Sequence, residues 1–256
     1  MRRLSGVLSV LVAVLCTALV VPGVADAGPA RASASAERAG TALVGTRVIG
    51  HTVKGRRIKA YRLGDPTSPV KAVFIGAIHG NEAAPSQLLM SLVDGAPITG
   101  ADIWVVPYLN LDGFKRHTRK NAHHVDLNRN FPVHWIRQTG TYNSGPRPAS
   151  EPETRAIMRF LKAIRPAYVV GFHQPLDGVD NSYAKTRPFA ALLSTNLGLP
   201  LKVFRCNHRC HGTMTQWFNK KLPGMALTVE YGKPMTWTQK YVTGPTGLLA
   251  SIGASR

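Results

Sequence analysis

Hydrophobic positions along the chain fall into three regimes. Residues 4–21 form an apolar run behind Met1-Arg2-Arg3, broken by Ser5, Gly6 and Ser9 and followed by Pro22-Gly23 and Ala25-Asp26-Ala27. The run is short for a membrane span, and its basic start, apolar middle and A-x-A end are those of a secretory signal peptide, so residues 1–27 are expected to be removed on export. Residues 28–45, rich in Ala, Ser, Arg and Gly, predict a flexible leader, and residues 46–256 a folded domain. Where the two meet, residues 44–51 and 57–63 alternate around Lys54-Gly55, as a β-hairpin does. Short continuous apolar runs at 70–76, 103–106, 167–171 and 225–229 have the length of strands buried on both faces. Between them, Pro85 opens a helix to about residue 94. Ser150-Glu151-Pro152-Glu153 reads as a capping box ahead of a helix to about residue 164, and residues 189–197 and 212–220 read as two further helices. Strands alternating with helices predict a single α/β domain, a mixed sheet flanked by helices. No internal repeat is visible.

Composition narrows the class. With 44% hydrophobic and 18% charged residues in 256, the chain as a whole is neither disordered, collagenous nor a coiled coil, and it is long enough for a core without staples. Lys and Arg number 32 against 13 Asp and Glu, a formal +19. Loss of residues 1–27 takes away Arg2, Arg3 and Asp26 and leaves +18. Such a field attracts polyanions, but no nucleic-acid recognition motif accompanies it and no stable membrane span is expected. Cys16 leaves with the signal. Cys206 and Cys210 then form an even pair in an oxidising compartment, for which a disulfide is the expected state. A zinc cluster of Cys206, His208, Cys210 and His211 is the alternative, without the two separated ligand pairs usual for such sites.

Candidate chemistry emerges from an audit of the carboxylates. Only five Glu follow residue 27. Glu37 lies in the leader, and Glu151 and Glu153 are accounted for by the helix start, which leaves Glu82 and Glu230. Glu230 ends the run Met225-Ala226-Leu227-Thr228-Val229, where an uncompensated carboxylate is costly to bury, so it belongs at a cleft outside the carboxyl end of a strand. His79-Gly80-Asn81-Glu82 and His173 follow two other strands in the same way. Two His and one Glu make a zinc set that leaves a position open for water. The segment from Asn110-Leu111-Asp112-Gly113 through Thr118-Arg119 to Asp126-Leu127-Asn128-Arg129-Asn130-Phe131 mixes guanidinium groups with Asn, which suits bidentate carboxylate recognition.

These motifs together resemble the zinc carboxypeptidase family of the carboxypeptidase A type, over residues 46–232. The resemblance implies a zinc carboxypeptidase-like fold holding one Zn2+ per chain on His79, Glu82 and His173. It further implies Glu230 as general base, Arg119 as the group that polarises the scissile carbonyl, and Asn128 and Arg129 as the holders of the substrate's terminal carboxylate. His173-Gln174-Pro175-Leu176 and Asn128-Arg129-Asn130-Phe131-Pro132 are most similar to the murein peptide amidase branch. That branch cuts the γ-D-glutamyl to diaminopimelate bond of cell-wall peptides. Asp180, or Asp177 beside it, is then expected to pair with the remote ammonium of diaminopimelate. A secreted protein of charge +18 is also expected to adhere to anionic wall polymers. The digestive enzymes' mobile tyrosine has no counterpart in the matching stretch before Glu230, and Tyr183, Tyr231, His208 and His211 stand open as substitutes. A general peptide carboxypeptidase, an N-acyl amino acid deacylase of the aspartoacylase type and a non-catalytic basic wall-binding protein are the competing readings.

Overall fold

The four short apolar runs become the middle of one sheet. The computed structural model describes residues 40–204 and 209–256, so the expected signal peptide, most of the expected leader, Cys206 and His208 lie outside the described residues. The strands are β1 (Leu43–His51), β2 (Arg57–Gly64), β3 (Lys71–Ile75), β4 (Asp102–Val106), β5 (Tyr168–His173), β6 (Gly178–Asp180), β7 (Leu201–Lys202) and β8 (Met225–Glu230). They lie in the order β1-β2-β4-β3-β5-β8-β6-β7. β4, β3, β5 and β8 run parallel, the β1–β2 hairpin joins β4 antiparallel, and β6 joins β8 antiparallel. The mixed α/β domain expected from the alternation of strands and helices is the one observed.

Helices α1 (Ala84–Val93), α2 (Leu111–Arg116), α3 (Pro152–Ile164), α4 (Arg187–Leu197), α5 (Met214–Lys221) and α6 (Gly244–Ser251) complete the domain. Successive strand residues point to opposite faces, and both faces are apolar because both are covered. Ala72 and Phe74 of β3 pack with Leu88 and Leu89 of α1, Phe189 and Leu193 of α4 and Leu248 of α6. Val73 and Ile75 pack instead with Ile157 and Phe160 of α3 and Trp217 and Phe218 of α5. Burial of each such side chain contributes about 1.5–3 kcal/mol, and truncating fully buried Phe74 to Ala would cost about 3–5 kcal/mol. Because the four central strands are parallel, Ile75, Val106, His173 and Glu230 all end at one edge of the sheet, the edge where open α/β sheets bind ligands. No helix of the described residues is long and apolar enough to cross a membrane.

The expected capping box at α3 does not form. Pro152 opens the helix, Glu151 is its N-cap without a side-chain cap bond, and both carboxylates turn inward. Glu151 Oε2 accepts from Asn121 Nδ2 at 2.8 Å and sits 2.8 Å from His123 Nδ1, while Glu153 accepts from the Val53 amide at 3.1 Å and from Asn121 Nδ2 at 3.2 Å. Several donors on a buried carboxylate outweigh one exposed cap bond. The effect is to tie the loop after α2 to the start of α3. A capping box does form at α5, between Thr213 and Gln216.

Candidate active site

The turn after β3 is shaped by close backbone approaches. A Cβ on Gly80 would lie 2.0 Å from the Gly113 carbonyl carbon and 2.2 Å from the Phe114 nitrogen, so only glycine lets the turn seat against α2. On the other side of that contact, Asn110 caps α2 by accepting from the Gly113 amide at 2.9 Å, and buried Asp112 holds the Lys54 amide at 2.9 Å and pairs with Arg56. The residues between the two halves of the motif are therefore structural. The Glu82 amide donates to the His79 carbonyl at 3.2 Å, which folds Glu82 back so that its Oε1 lies 2.8 Å from His79 Nδ1.

His173, at the end of β5, completes the group. Its Nδ1 lies 2.8 Å from Glu82 Oε2 and 3.1 Å from His79 Nδ1, and one donor atom from each residue falls within 4.8 Å of the others. Asp126 Oδ1 lies 3.1 Å from His79 Nε2. A carboxylate there takes the Nε2 proton and leaves the Nδ1 lone pair aimed at Glu82 and His173. Burial opposes protonation of His79, yet Glu82 and Asp126 outweigh it and hold its pKa up. Glu82 is itself disfavoured as an anion by burial but is kept well below the ordinary carboxylate range by the two histidines. Two carboxylates and two convergent imidazole nitrogens in a buried space call for a cation, and the donor set of two His and one Glu is one that zinc takes. The residues present fit the metal.

Glu230 pairs in register with His173 across β5 and β8. Its Oε2 accepts from the Leu176 amide at 3.2 Å, leaving Oε1 toward the pocket. Burial pushes its carboxyl above the ordinary range, a shift that His173 opposes and Glu82 reinforces. Arg119 donates to Asp126 Oδ2 through Nε at 2.9 Å and Nη2 at 2.8 Å, while its Nη1 lies 3.6 Å from Glu82. Asn128 accepts from the Met214 amide through Oδ1 at 3.0 Å, which leaves its Nδ2 for the pocket. Arg129 is 5% exposed, and its Nε has no hydrogen-bond partner among the described residues. A buried guanidinium nitrogen without an acceptor is costly unless a ligand supplies one. Glu230, Arg119, Asn128 and Arg129 line one cavity of about 400 Å³ with His79, Glu82 and His173, together with Asp180, Tyr183 and Tyr142.

Asp180 is buried, and its Oδ1 accepts from the Ser182 amide and hydroxyl. Burial raises its pKa and the Ser182 bonds hold the shift back. Asp177 is exposed and does not line the cavity. Of the tyrosines left open, Tyr183 lines the cavity, whereas Tyr231 is buried in the core, stacks on Phe172 and has no hydroxyl partner among the described residues, so it is not a substitute. His211 is half-buried and does not line the cavity, and His208 lies outside the described residues. The expected Cys206–Cys210 disulfide also involves an undescribed residue, while Cys210 lies at the cavity wall. Two site residues were missed. Asp126 lies in the run Asp126-Leu127-Asn128-Arg129-Asn130-Phe131, where the pattern gives it no role of its own, and Tyr142 sits in a short turn with no pattern to mark it.

Comparison with known proteins places these features. A family model described as zinc carboxypeptidase matches residues 35–188; the match stops before Glu230, which the strand register brings beside His173. Murein peptide amidase A of Escherichia coli (strain K12) is 38% identical over 91 residues, 30% of this chain and 38% of that protein. The chain thus spans little more than a third of that relative's length in the match. Murein peptide amidase A of Vibrio campbellii is 29% identical over 175 residues, 62% of this chain and 68% of that protein. The crystal structure of the murein-tripeptide amidase from Escherichia coli O157 superposes with a TM-score of 0.64 at 25% identity, covering 82% of this chain and 92% of the other.

Proposed function

The chain belongs to the zinc carboxypeptidase family, and from that premise we propose that it is a secreted metallocarboxypeptidase that hydrolyses the C-terminal amide bond of peptides, with cell-wall peptides cut at γ-D-Glu to diaminopimelate as the substrate. The convergence of His79, Glu82 and His173 beside Glu230 and a buried Arg129 whose Nε has no partner among the described residues carries the reading. Similarity to two murein peptide amidases and to a murein-tripeptide amidase structure supports the substrate class. Zinc held by the three ligands would supply a Lewis acid that polarises the carbonyl and lowers the pKa of water to about 7.

The chain's own residues divide the remaining work. Glu230 Oε1 takes a proton from the attacking water and returns it to the leaving amine, while Oε2 stays fixed by the Leu176 amide. Arg119, clamped on Asp126 by two of its nitrogens, keeps Nη1 for the oxyanion that develops on the scissile carbonyl. Removing such a donor typically costs about 10²- to 10³-fold in rate. Asn128 Nδ2 and the Arg129 guanidinium hold the terminal carboxylate, and Asp180 pairs with the remote ammonium. Export through residues 1–27, a Cys206–Cys210 disulfide and adhesion to anionic wall polymers belong to the same proposal; the +18 charge of residues 28–256 supports the last.

The test is mass spectrometry of products from the zinc-loaded protein given L-Ala-γ-D-Glu-meso-diaminopimelate alongside α-linked peptides, with and without chelator. Chelator-sensitive release of diaminopimelate alone is expected. Release of C-terminal residues from the α-linked peptides would make it a general carboxypeptidase. No product from either would overturn the peptidase reading in favour of a deacylase or a binding protein.

A further inference from the structure

Three guanidinium groups gather on one phenol ring at the cavity mouth. The guanidinium carbons of Arg119, Arg129 and Arg209 lie 5.5, 5.2 and 5.4 Å from the centroid of Tyr142. Tyr142 lines the cavity that holds His79, Glu82 and His173, and so does Cys210, the neighbour of Arg209. The ring is held in place through the next residue, whose carbonyl accepts from the Asp126 amide at 2.8 Å and whose side chain donates to the His124 carbonyl at 2.9 Å.

Like charges at this spacing repel, and a single aromatic ring offsets only part of that for three cations. Asp126 answers Arg119. Among the described residues no ion pair involves Arg129 or Arg209. A substrate's terminal carboxylate answers Arg129, with Asn128 beside it. That leaves Arg209, a cation on the same ring that has no carboxylate partner among the described residues. We propose that Arg209 and Tyr142 form a second carboxylate subsite beside Arg129, so that the preferred substrate carries a carboxylate in addition to its C-terminal one. The inference rests on the peptidase reading for its substrate and names the group that selects it. The second carboxylate comes either from the residue that donates the scissile carbonyl or from the side chain of the leaving residue. Tyr142 fixes the guanidinium plane, as stacking on an aromatic face does, and the forked N–H groups grip the carboxylate.

Binding is measured by calorimetry on zinc-loaded Glu230→Gln, with and without Arg209→Ala, so that no turnover intervenes. The probes are L-Ala-γ-D-Glu-meso-diaminopimelate, its D-Glu α-carboxamide counterpart, its L-Lys counterpart, and the α-linked pair L-Ala-L-Glu-L-Ala and L-Ala-L-Gln-L-Ala. Arg209 is exposed, so Arg209→Ala is expected to weaken the carboxylate-bearing member of a pair about threefold to fivefold more than its neutral counterpart, the upper end for an exposed ion pair, and Arg209→Lys to recover part of it. Loss of the Arg209 dependence on amidation of D-Glu assigns the carboxylate to the acyl side, and loss on replacement by Lys assigns it to the leaving residue. Dependence seen only in the α-linked pair keeps the subsite and overturns the cell-wall substrate. Dependence on Arg209 in a protein whose unmutated form cleaves none of these peptides keeps the subsite and overturns the peptidase reading. Equal weakening of all probes, no weakening of any, or no binding overturns the subsite.

Discussion

Asp126→Asn tests whether a residue that touches no substrate sets the metal site. Oδ1 of Asp126 faces His79 Nε2 at 3.1 Å and accepts from the Asn128 amide at 3.0 Å, and Oδ2 accepts from Arg119 Nε at 2.9 Å and Nη2 at 2.8 Å. An asparagine has the same shape but one oxygen, so one of these two pairs of donors must face an amide NH2. If the oxygen stays with His79, Arg119 loses both bonds. If it turns to Arg119, the amide donates to His79 Nε2, the imidazole proton moves to Nδ1, and the nitrogen that faces Glu82 and His173 is blocked. Hydrogen bonds to charged groups contribute about 1.5–3 kcal/mol each. The Arg119 side chain is 24% exposed and recovers part of its loss from water, so we expect about 2–3 kcal/mol lower stability without metal, below the usual figure of about 3–5 kcal/mol for breaking a buried ion pair. Zinc affinity should fall about 10- to 100-fold, the usual effect of removing the partner that orients a ligating histidine. Competition with a chromophoric chelator measures the affinity, and urea unfolding of the metal-free protein the stability. An affinity within about twofold of the parent would refute the tautomer argument, since that shift is far below the range such partners produce.

Four further predictions follow from the same geometry. Glu230→Gln should retain zinc by elemental analysis and lose turnover, whereas His173→Ala should lose both; near-normal turnover in the first would sink the general-base assignment. Gly80→Ala forces a Cβ into the Gly113 backbone and should cost about 3 kcal/mol, the upper end of overpacking penalties; a denaturation midpoint equal to the parent's would show that the turn is free to move. Glu153 is buried and its pKa is raised from 4.5, chiefly by desolvation. The folded state therefore binds its proton more tightly than the unfolded state, and its stabilising share is full below 4.5 and lost as pH rises through the folded value. The stability difference between Glu153→Gln and the parent should accordingly move in the variant's favour above pH 4.5, and a pH-independent difference contradicts this. Asp180→Ala should raise KM for the diaminopimelate peptide with little change for an analogue that lacks the remote ammonium; equal effects on both would remove Asp180 from recognition.

The parts of the molecule legible in the amino-acid order are those where a local pattern and the final environment agree. Residues 70–76, 103–106, 167–171 and 225–229 are apolar without alternation because β3, β4, β5 and β8 are covered on both faces. His79, Glu82, His173 and Glu230 come together because His173 and Glu230 end such strands and His79 and Glu82 lie in the turn that follows one, so all four stand at the same edge of the sheet. β6 and β7 have three and two residues, too few for any period to register. Glu151 and Glu153 misled because Ser150-x-x-Glu153 is a valid cap in isolation; the donors that claim the two carboxylates, Asn121, His123 and the Val53 amide, come from distant points of the chain. Tyr142 went unseen for the same reason. Its importance lies in Arg119, Arg129 and Arg209, brought to it from both sides in sequence.

The loop from Asn110 to Phe131 shows why so little regular structure can hold a site to the required precision. Its only regular pieces are the short helix α2 and a single 3-10 turn at Leu127–Arg129, yet its buried polar groups are bonded outward at many points. Asn110 spans the turn to the Arg119 carbonyl at 3.2 Å, Asn121 reaches Glu151 and Glu153, and the Asp126 amide meets the Asn143 carbonyl. Asn130 bonds the Ser144 carbonyl at 2.8 Å and receives the Glu151 amide at 3.1 Å, and the Phe131 amide reaches the Gly212 carbonyl at 2.9 Å. Each anchor lies within a few residues of Arg119, Asn128 or Arg129. Low dielectric makes every one of these bonds expensive to leave unmade, so the loop has few alternative conformations of comparable energy. That rigidity lets Arg129 stay buried with an Nε that has no partner among the described residues. In a loop free to relax, the guanidinium would turn to water and the pocket would lose the group that calls for a carboxylate.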